Sequence, residues 1–384
     1  MQQLLFLGGT LCLAAWLYLL LFHGRFWQVS RLRNDDTVHS SVLAAKVAVI
    51  IAARNEAPNI GRALRSLLTQ SCDNNLHIYL VDDNSTDGTS DAARATIAEN
   101  ERARVHIIPG RPLPPGWTGK LWAVQQGVDA AMQLAPEFLL LTDADVEQAP
   151  GNVATLVSIA ESQGYDLVSF MVKLHCRSFP EKLLIPAFVF FFFMLYPPLW
   201  IRSIKRRTAG AAGGCILIRP PSLALAGGIA AIRSEVIDDC ALARAVKRSG
   251  GRVWLGVTAA THSFRPYQSF GEIERMIART AFNQLRHSVL LLAGAMLGMV
   301  LLYVLPFPLL FTRDLRLVAL GMGACVVMVA TYLPMVRFYG LRLTWALTLP
   351  LSAIFYMVAT LDSAMKFWRG RGGEWKGRSQ DRSA

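Results

Sequence analysis

The stretch LLLTDADVEQAP, residues 139–150, ends an apolar run in two carboxylates one residue apart, Asp143 and Asp145. Two hard oxygen donors at this spacing can hold Mg²⁺ or Mn²⁺ against a diphosphate, which neither carboxylate could approach without the metal between them. The same pattern also suits an Asp that caps the next helix while its neighbour stays solvated. Lys120 follows the Pro/Gly loop LPPGWTG. At the start of a helix it can meet a phosphate beside free N–H groups, or simply be solvated. Asp82 and Asp83 end the run HIYLV, and Asp238 and Asp239 enter the segment IDDCALARAVKRSG, where interaction with a helix dipole is the plain role.

These residues need a scaffold, and the hydrophobic pattern supplies one. Val47 to Ala52 is a β-branched run suited to a parallel strand buried on both faces, while Ile60, Leu64, Leu67 and Leu68 recur at helical spacing. HIYLVDDNSTDGTSDAARATIA gives a second strand and helix, RVHIIPG a third strand, and LPPGWTGKLWAVQQGVDAAM the helix that leads into the TDAD strand. Strands alternating with helices predict an α/β domain with a mostly parallel sheet, whose ligands bind beyond the strands' carboxyl ends. AAGGCILIRP resumes a strand pattern, followed by the IDDCAL helix and the strand GRVWLG. No G-x-G-x-x-G follows a strand and no G-x-x-x-x-G-K-[ST] occurs, which removes the main support for dinucleotide and P-loop readings.

With 53% hydrophobic residues among 384, the chain is too apolar for a soluble protein. Residues 4–22 carry no charge and are followed by Arg25, Arg31 and Arg33, which reads as a retained anchor with a cytoplasmic sequel rather than a cleaved signal peptide. A polar linker covers 31–41. Residues 183–199 are apolar but contain three prolines. A full crossing there would separate Asp143 from Asp239, so an interfacial or re-entrant segment is expected. Segments 288–311, 315–336 and 343–364 have spanning length, with Pro306 and Pro308 marking the first as a candidate for incomplete crossing. The net charge of +12 gathers beside apolar segments, at Lys205-Arg206-Arg207 and in the tail after Lys366, which favours lipid headgroups. Without interleaved aromatic platforms the charge does not suggest nucleic acid. Six cysteines without C-x-x-C spacing fit reduced, mostly buried thiols.

Taken in order, IAARNE, VDDNSTDGT, GWTGK, TDAD and IDDCAL resemble the family 2 glycosyltransferases with a GT-A fold, over roughly residues 45–285. The amino-terminal anchor, GWTGKLWAVQQG, AAGGCILIRP and IDDCALARAVKRSG look most like the bacterial hopanoid-biosynthesis-associated members. The resemblance implies an anchor at 1–24, a GT-A domain at 45–285 containing the interfacial segment, carboxy-terminal transmembrane helices at 286–365 and a basic tail at 366–384. It implies that Ala52, Arg54 and Asp83 contact the nucleotide base, with Glu56 and Asp82 in support, and that Asp143 and Asp145 contact ribose and metal-bound diphosphate. Asp239 would be the catalytic base, Asp238 the acid before it, and Lys120 would join the metal in neutralising the leaving diphosphate.

The expected protein is thus a multi-pass enzyme of the bacterial inner membrane with a cytoplasmic catalytic domain. It would move a sugar from a nucleotide donor, a UDP-sugar first, to a lipid acceptor such as a hopanoid. Transfer to a polyprenyl phosphate and a catalytically inactive scaffold are the alternatives. The sequence departs from the family's pattern in several places. Q-x-x-R-W is absent, with Arg275 and Arg279 in IERMIARTAFNQL and no tryptophan. Asp238 replaces the usual Glu, Ala52 the usual proline, and Gln125-Gln126-Gly127 the usual N-x-G.

Overall fold

The computed structural model describes residues 2–29, 45–70 and 75–370. They form two compact units, one from residues 45–70, 75–175 and 200–265, the other from residues 2–29, 176–199 and 266–370. The linker at 31–41 and the tail beyond residue 370 lie outside the described residues.

The first unit is an eight-stranded mixed sheet with helices. Its strands are β1 (Val47–Ala53), β2 (Leu76–Asp82), β3 (Val105–Pro109), β4 (Phe138–Asp143), β5 (Val146–Glu147), β6 (Leu167–Lys173), β7 (Cys215–Ile218) and β8 (Val253–Ser263), in the order β3-β2-β1-β4-β7-β6-β8-β5. The first four are mutually parallel, as the alternation of strands and helices predicts. The sheet departs from that expectation at β7, which enters antiparallel between β4 and β6. Gly214 makes this approach possible, because a Cβ there would stand 3.0 Å from the Val172 side chain.

Burial explains the strand choices. Every residue of β1 except Ala52 is buried, and β4 is buried up to Asp143. The helix Ala57–Leu68 turns Ile60, Leu64, Leu67 and Leu68 inward as its periodicity requires. The helix Gly119–Ala131 crosses the sheet at Gly127, where a Cβ would lie 2.6 Å from Ile50 Cγ2.

The second unit is helical. Among the described residues of the whole chain, five helices are long and apolar enough to cross a membrane: Gln2–Leu21, Phe179–Arg202, Val289–Leu309, Leu315–Phe338 and Leu343–Trp368. By length and composition this is a membrane protein. Outward-facing Leu290, Phe311 and Leu315 are each more than 80% exposed, apolar surface that water would not favour. The unit is tied by polar contacts to backbone: Trp16 Nε1 donates to Leu302 O at 3.0 Å, and the Ser352 and Tyr356 hydroxyls donate to Leu183 O and Leu184 O at 2.8 and 3.1 Å.

The 183–199 stretch is helical over Phe179–Leu195, starts on a Ser178/Glu181 capping box and accommodates Pro186 in its interior. Leu184, Ile185, Ala187, Val189, Phe190 and Phe193 along it are buried. Pro306 and Pro308 fall in the last turn of Val289–Leu309, so they do not shorten its 21 residues.

Candidate active site

Strand order assembles the site. The helix connections diverge between β1 and β4, the switch point at which open α/β sheets bind ligands. Register does the rest: Ala52 pairs with Asp143 and Ala53 with Asp82, so the ends of β1, β2 and β4 share one edge.

Two asparagines shape the loops at that edge. Asn55 and Asn84 adopt positive φ, 52° each, a conformation their short polar side chains tolerate. The loops are clasped together: Asn55 N donates to Ser85 Oγ, Glu56 N to Thr89 Oγ1 and Ala57 N to Asp87 Oδ2, at 2.8–2.9 Å. Much of VDDNSTDGT therefore builds the loop. Asp82 accepts from Ser85 N and from the Ser90 hydroxyl, which makes it part of this brace. Asp83 is 1% exposed behind Arg54, whose Nη1 donates to Asp83 O at 2.6 Å and lies 3.7 Å from its carboxylate. A ligand reaching Asp83 has to displace that guanidinium. Arg54 Nε is buried and finds no hydrogen-bond partner among the described residues.

At the centre stands Lys120. Thr118 caps its helix by accepting from Leu121 N, and Lys120 Nζ lies 3.1 Å from Asp143 Oδ1 and 3.0 Å from Asp238 Oδ2. One acid from each of two pairs nearly a hundred residues apart in sequence thus meets the other across one ammonium. Burial opposes the charge on Lys120, but Asp143 and Asp238 more than offset it and hold its pKa above the ordinary lysine value. Asp239 sits behind Asp238 at the start of the helix Asp238–Arg248, accepting from Gly213 N at 2.9 Å and Cys240 N at 2.7 Å. Burial, with the neighbouring Asp238 charge, pushes its pKa up to about 6, against the pull of Lys120 and the two N–H groups. Asp239 is thus poised to exchange a proton near neutrality.

A narrow cavity of about 30 Å³ lies among these groups, floored by Ile50, Leu141 and Leu242. The charged residues lining it are Lys120, Asp143, Asp238 and Asp239, three carboxylates to one ammonium. The TDAD turn itself is held from below. Thr142 Oγ1 donates to Gly214 O, Gln148 Nε2 to Thr142 Oγ1 and Asn152 Nδ2 to Gln148 Oε1, at 2.6–3.0 Å. Asp145 is turned away from Lys120. Its Oδ2 accepts from Arg265 Nε at 2.7 Å, and the same guanidinium reaches Glu56 Oε1. Burial and the Asp143 charge raise the Asp145 pKa in spite of Arg265.

All the site residues named from sequence therefore lie in the α/β unit, in three clusters: Arg54 with Asp82 and Asp83, Lys120 with Ala52, Asp143, Asp238 and Asp239, and Glu56 with Asp145. Arg265 and Gly213 are additions. Arg265 left no signal in HSFRPYQ, whereas Gly213 stood in the AAGGC stretch already read as a strand approach.

Residues 48–224 match the profile of glycosyl transferase family 2. A mannosyltransferase from Pyrobaculum calidifontis, solved with GDP-Man and Mn²⁺, superposes with a TM-score of 0.51 at 19% identity, over 95% of this chain and 99% of that one. The likeness shows the GT-A fold for the α/β unit. Among curated proteins, undecaprenyl-phosphate 4-deoxy-4-formamido-L-arabinose transferases are 30% identical over 128 residues in Aeromonas hydrophila subsp. hydrophila and over 129 in Yersinia enterocolitica serotype O:8. The matches take in 33% and 32% of this chain and span 36% of each relative.

Proposed function

We propose that this chain is a membrane-bound inverting glycosyltransferase that moves a sugar from a nucleotide-diphosphate donor, a UDP-sugar first, to a hydroxyl of a lipid. The observation that carries the reading is Lys120 held between Asp143 and Asp238 with Asp239 directly behind. In this reading the acceptor hydroxyl attacks the anomeric carbon opposite the leaving diphosphate, and Asp239 takes its proton. Lys120 exchanges a carboxylate for a diphosphate oxygen as negative charge grows there. Arg54 Nε, with Ala52 and Asp83 nearby, offers the donor that a nucleotide base would use, and Glu56 and Asp82 fix the loops around it.

The donor set fits a divalent cation. Asp143 and Asp145 are hard oxygen ligands on one turn, and burial together with mutual repulsion makes added positive charge favourable. They would hold Mg²⁺ or Mn²⁺, which supplies positive charge beside the leaving diphosphate.

The acceptor follows from the cavity. A carboxylate base is needed only by a neutral acceptor, so Asp239 at the cavity supports a hydroxyl-bearing lipid, a hopanoid side chain among the candidates. The two undecaprenyl-phosphate relatives favour a second reading, transfer to a polyprenyl phosphate, whose acceptor oxygen is already charged and needs no base. An inactive scaffold has no physical need for three carboxylates gathered around one lysine. The segment 179–202 lies at the cytoplasmic surface of the bacterial inner membrane in this proposal. The chain before it carries Asp143 and the chain after it Asp238, and one lysine holds both, so the helix does not pass the chain to another compartment.

The test is to delete the gene, compare lipid extracts by mass spectrometry for a lost glycosylated species, and restore the strain with wild type or Asp239→Asn. Loss of the product with Asp239→Asn supports a hydroxyl acceptor, and its retention supports the phosphate.

A further inference from the structure

Arg265 follows the end of β8, where the pairing of Val146 with Ser263 sets it beside the TDAD turn. Phe264 N donates to Asp145 O at 3.1 Å, which fixes the backbone on either side of the contact. From there the guanidinium forks. Its Nε donates to Asp145 Oδ2 at 2.7 Å and its Nη2 to Glu56 Oε1. Both acceptors are well covered, with side chains 15% and 6% exposed, while Arg265 itself is 34% exposed. Glu56 is held from its other oxygen by Asn59 Nδ2 at 2.7 Å. A planar fork between two covered carboxylates is the arrangement in which arginine forms strong, directional bonds.

The carboxylate oxygen that Arg265 grips belongs to the pair proposed above to hold the divalent cation. A divalent cation on either oxygen of Asp145 competes with the guanidinium for the same carboxylate charge and is repelled by it. We infer that Arg265 is a built-in counter-ion for Asp145 that competes with the divalent cation, so that this arginine sets the metal affinity of the site. A cation that loosens the Asp145 arm leaves the arginine its second arm on Glu56. Metal uptake at Asp145 thereby shifts a group tethered to the loop that follows β1. The inference rests on the metal reading of Asp143 and Asp145.

The experiment measures Mn²⁺ binding to the full-length protein in nanodiscs by calorimetry, without nucleotide. Arg265→Met is expected to bind Mn²⁺ about tenfold more tightly than wild type, the equivalent of ~1.4 kcal/mol. Arg265→Lys should fall between them, since an ammonium keeps the charge but not the two-armed fork. Arg265→Met should also gain more thermal stability from Mn²⁺ than wild type does. Arg62→Met serves as the control for a lost positive charge nearby, because Arg62 pairs with Glu147 rather than Asp145. Equal or weaker Mn²⁺ binding by Arg265→Met, or equal tightening by Arg62→Met, overturns the counter-ion role and leaves the metal reading standing. Wild-type affinity in Asp145→Asn overturns both.

Discussion

Replacing Asp239 by Asn should separate stability from activity, with opposite signs. The folded carboxylate titrates at about 6 against an ordinary value of 3.8. A folded pKa above the unfolded one means that the charged form destabilises the fold. The cost is absent below the unfolded value and fully developed above the folded one. At 1.36 kcal/mol per unit it comes to about 3 kcal/mol near pH 8 and about half that near pH 5. Asn removes this cost but keeps only one carbonyl oxygen for the two N–H groups of Gly213 and Cys240, a loss of about 1–3 kcal/mol. Asp239→Asn should therefore melt at or slightly above the wild-type temperature near pH 8, and compare less favourably near pH 5. Transfer should fall by roughly two to four orders of magnitude, the usual worth of a positioned base. Wild-type transfer should decline as pH drops below about 6. The assays are thermal unfolding in nanodiscs at the two pH values, and transfer of labelled sugar to lipid extracted from the deletion strain. Survival of more than about a tenth of the activity in Asp239→Asn, or a flat wild-type profile through pH 6, would refute the role of base.

Lys120→Met should cost about 1–3 kcal/mol, less than a fully buried pair because the lysine side chain is a quarter exposed, and an unchanged melting temperature would argue against the bridge. Asp145→Ala should weaken UDP binding in calorimetry and abolish turnover, and turnover that persists in excess EDTA would exclude the metal. Gly213→Val should spare UDP binding and block transfer, because its Cβ would stand 3.5 Å from Asp239 Oδ2 and 3.6 Å from Lys120 Nζ, leaving its methyls to fill the acceptor's place. If Gly213→Val transfers normally, the acceptor enters elsewhere. Thr118→Ala removes the cap of the lysine helix and should lower stability by about 1 kcal/mol, read from the melting temperature.

Features that depend on local chemistry were legible in the sequence. The β-branched run of β1, the helical spacing from Ile60 to Leu68 and the polar break after Leu141 each follow from burial of neighbouring residues, and the structure repeats them. Lys120 and the acids were recognisable one by one, because a charged group at the end of an apolar strand or the start of a helix has few neutral uses. Their arrangement was less accessible. Asp143 and Asp238 read as the two sides of a reaction, yet they share one ammonium, because β7 returns antiparallel beside β4 and carries Gly213 to the Asp239 helix. The direction of a four-residue strand is set by its neighbours, and CILI reads alike either way.

Arg265 marks the limit most clearly. Its partners Asp145 and Glu56 lie 120 and 209 residues earlier, and nothing in HSFRPYQ distinguishes it from a solvated arginine. What selects it is the β5–β8 pairing. Ser263 stands opposite Val146, so a side chain two residues past the end of β8 reaches the acid just before β5. A slip of one residue in that ladder would present Phe264 or Pro266 in its place and leave Asp145 buried without a counter-charge. The register of a two-residue strand therefore decides which cation a covered carboxylate meets.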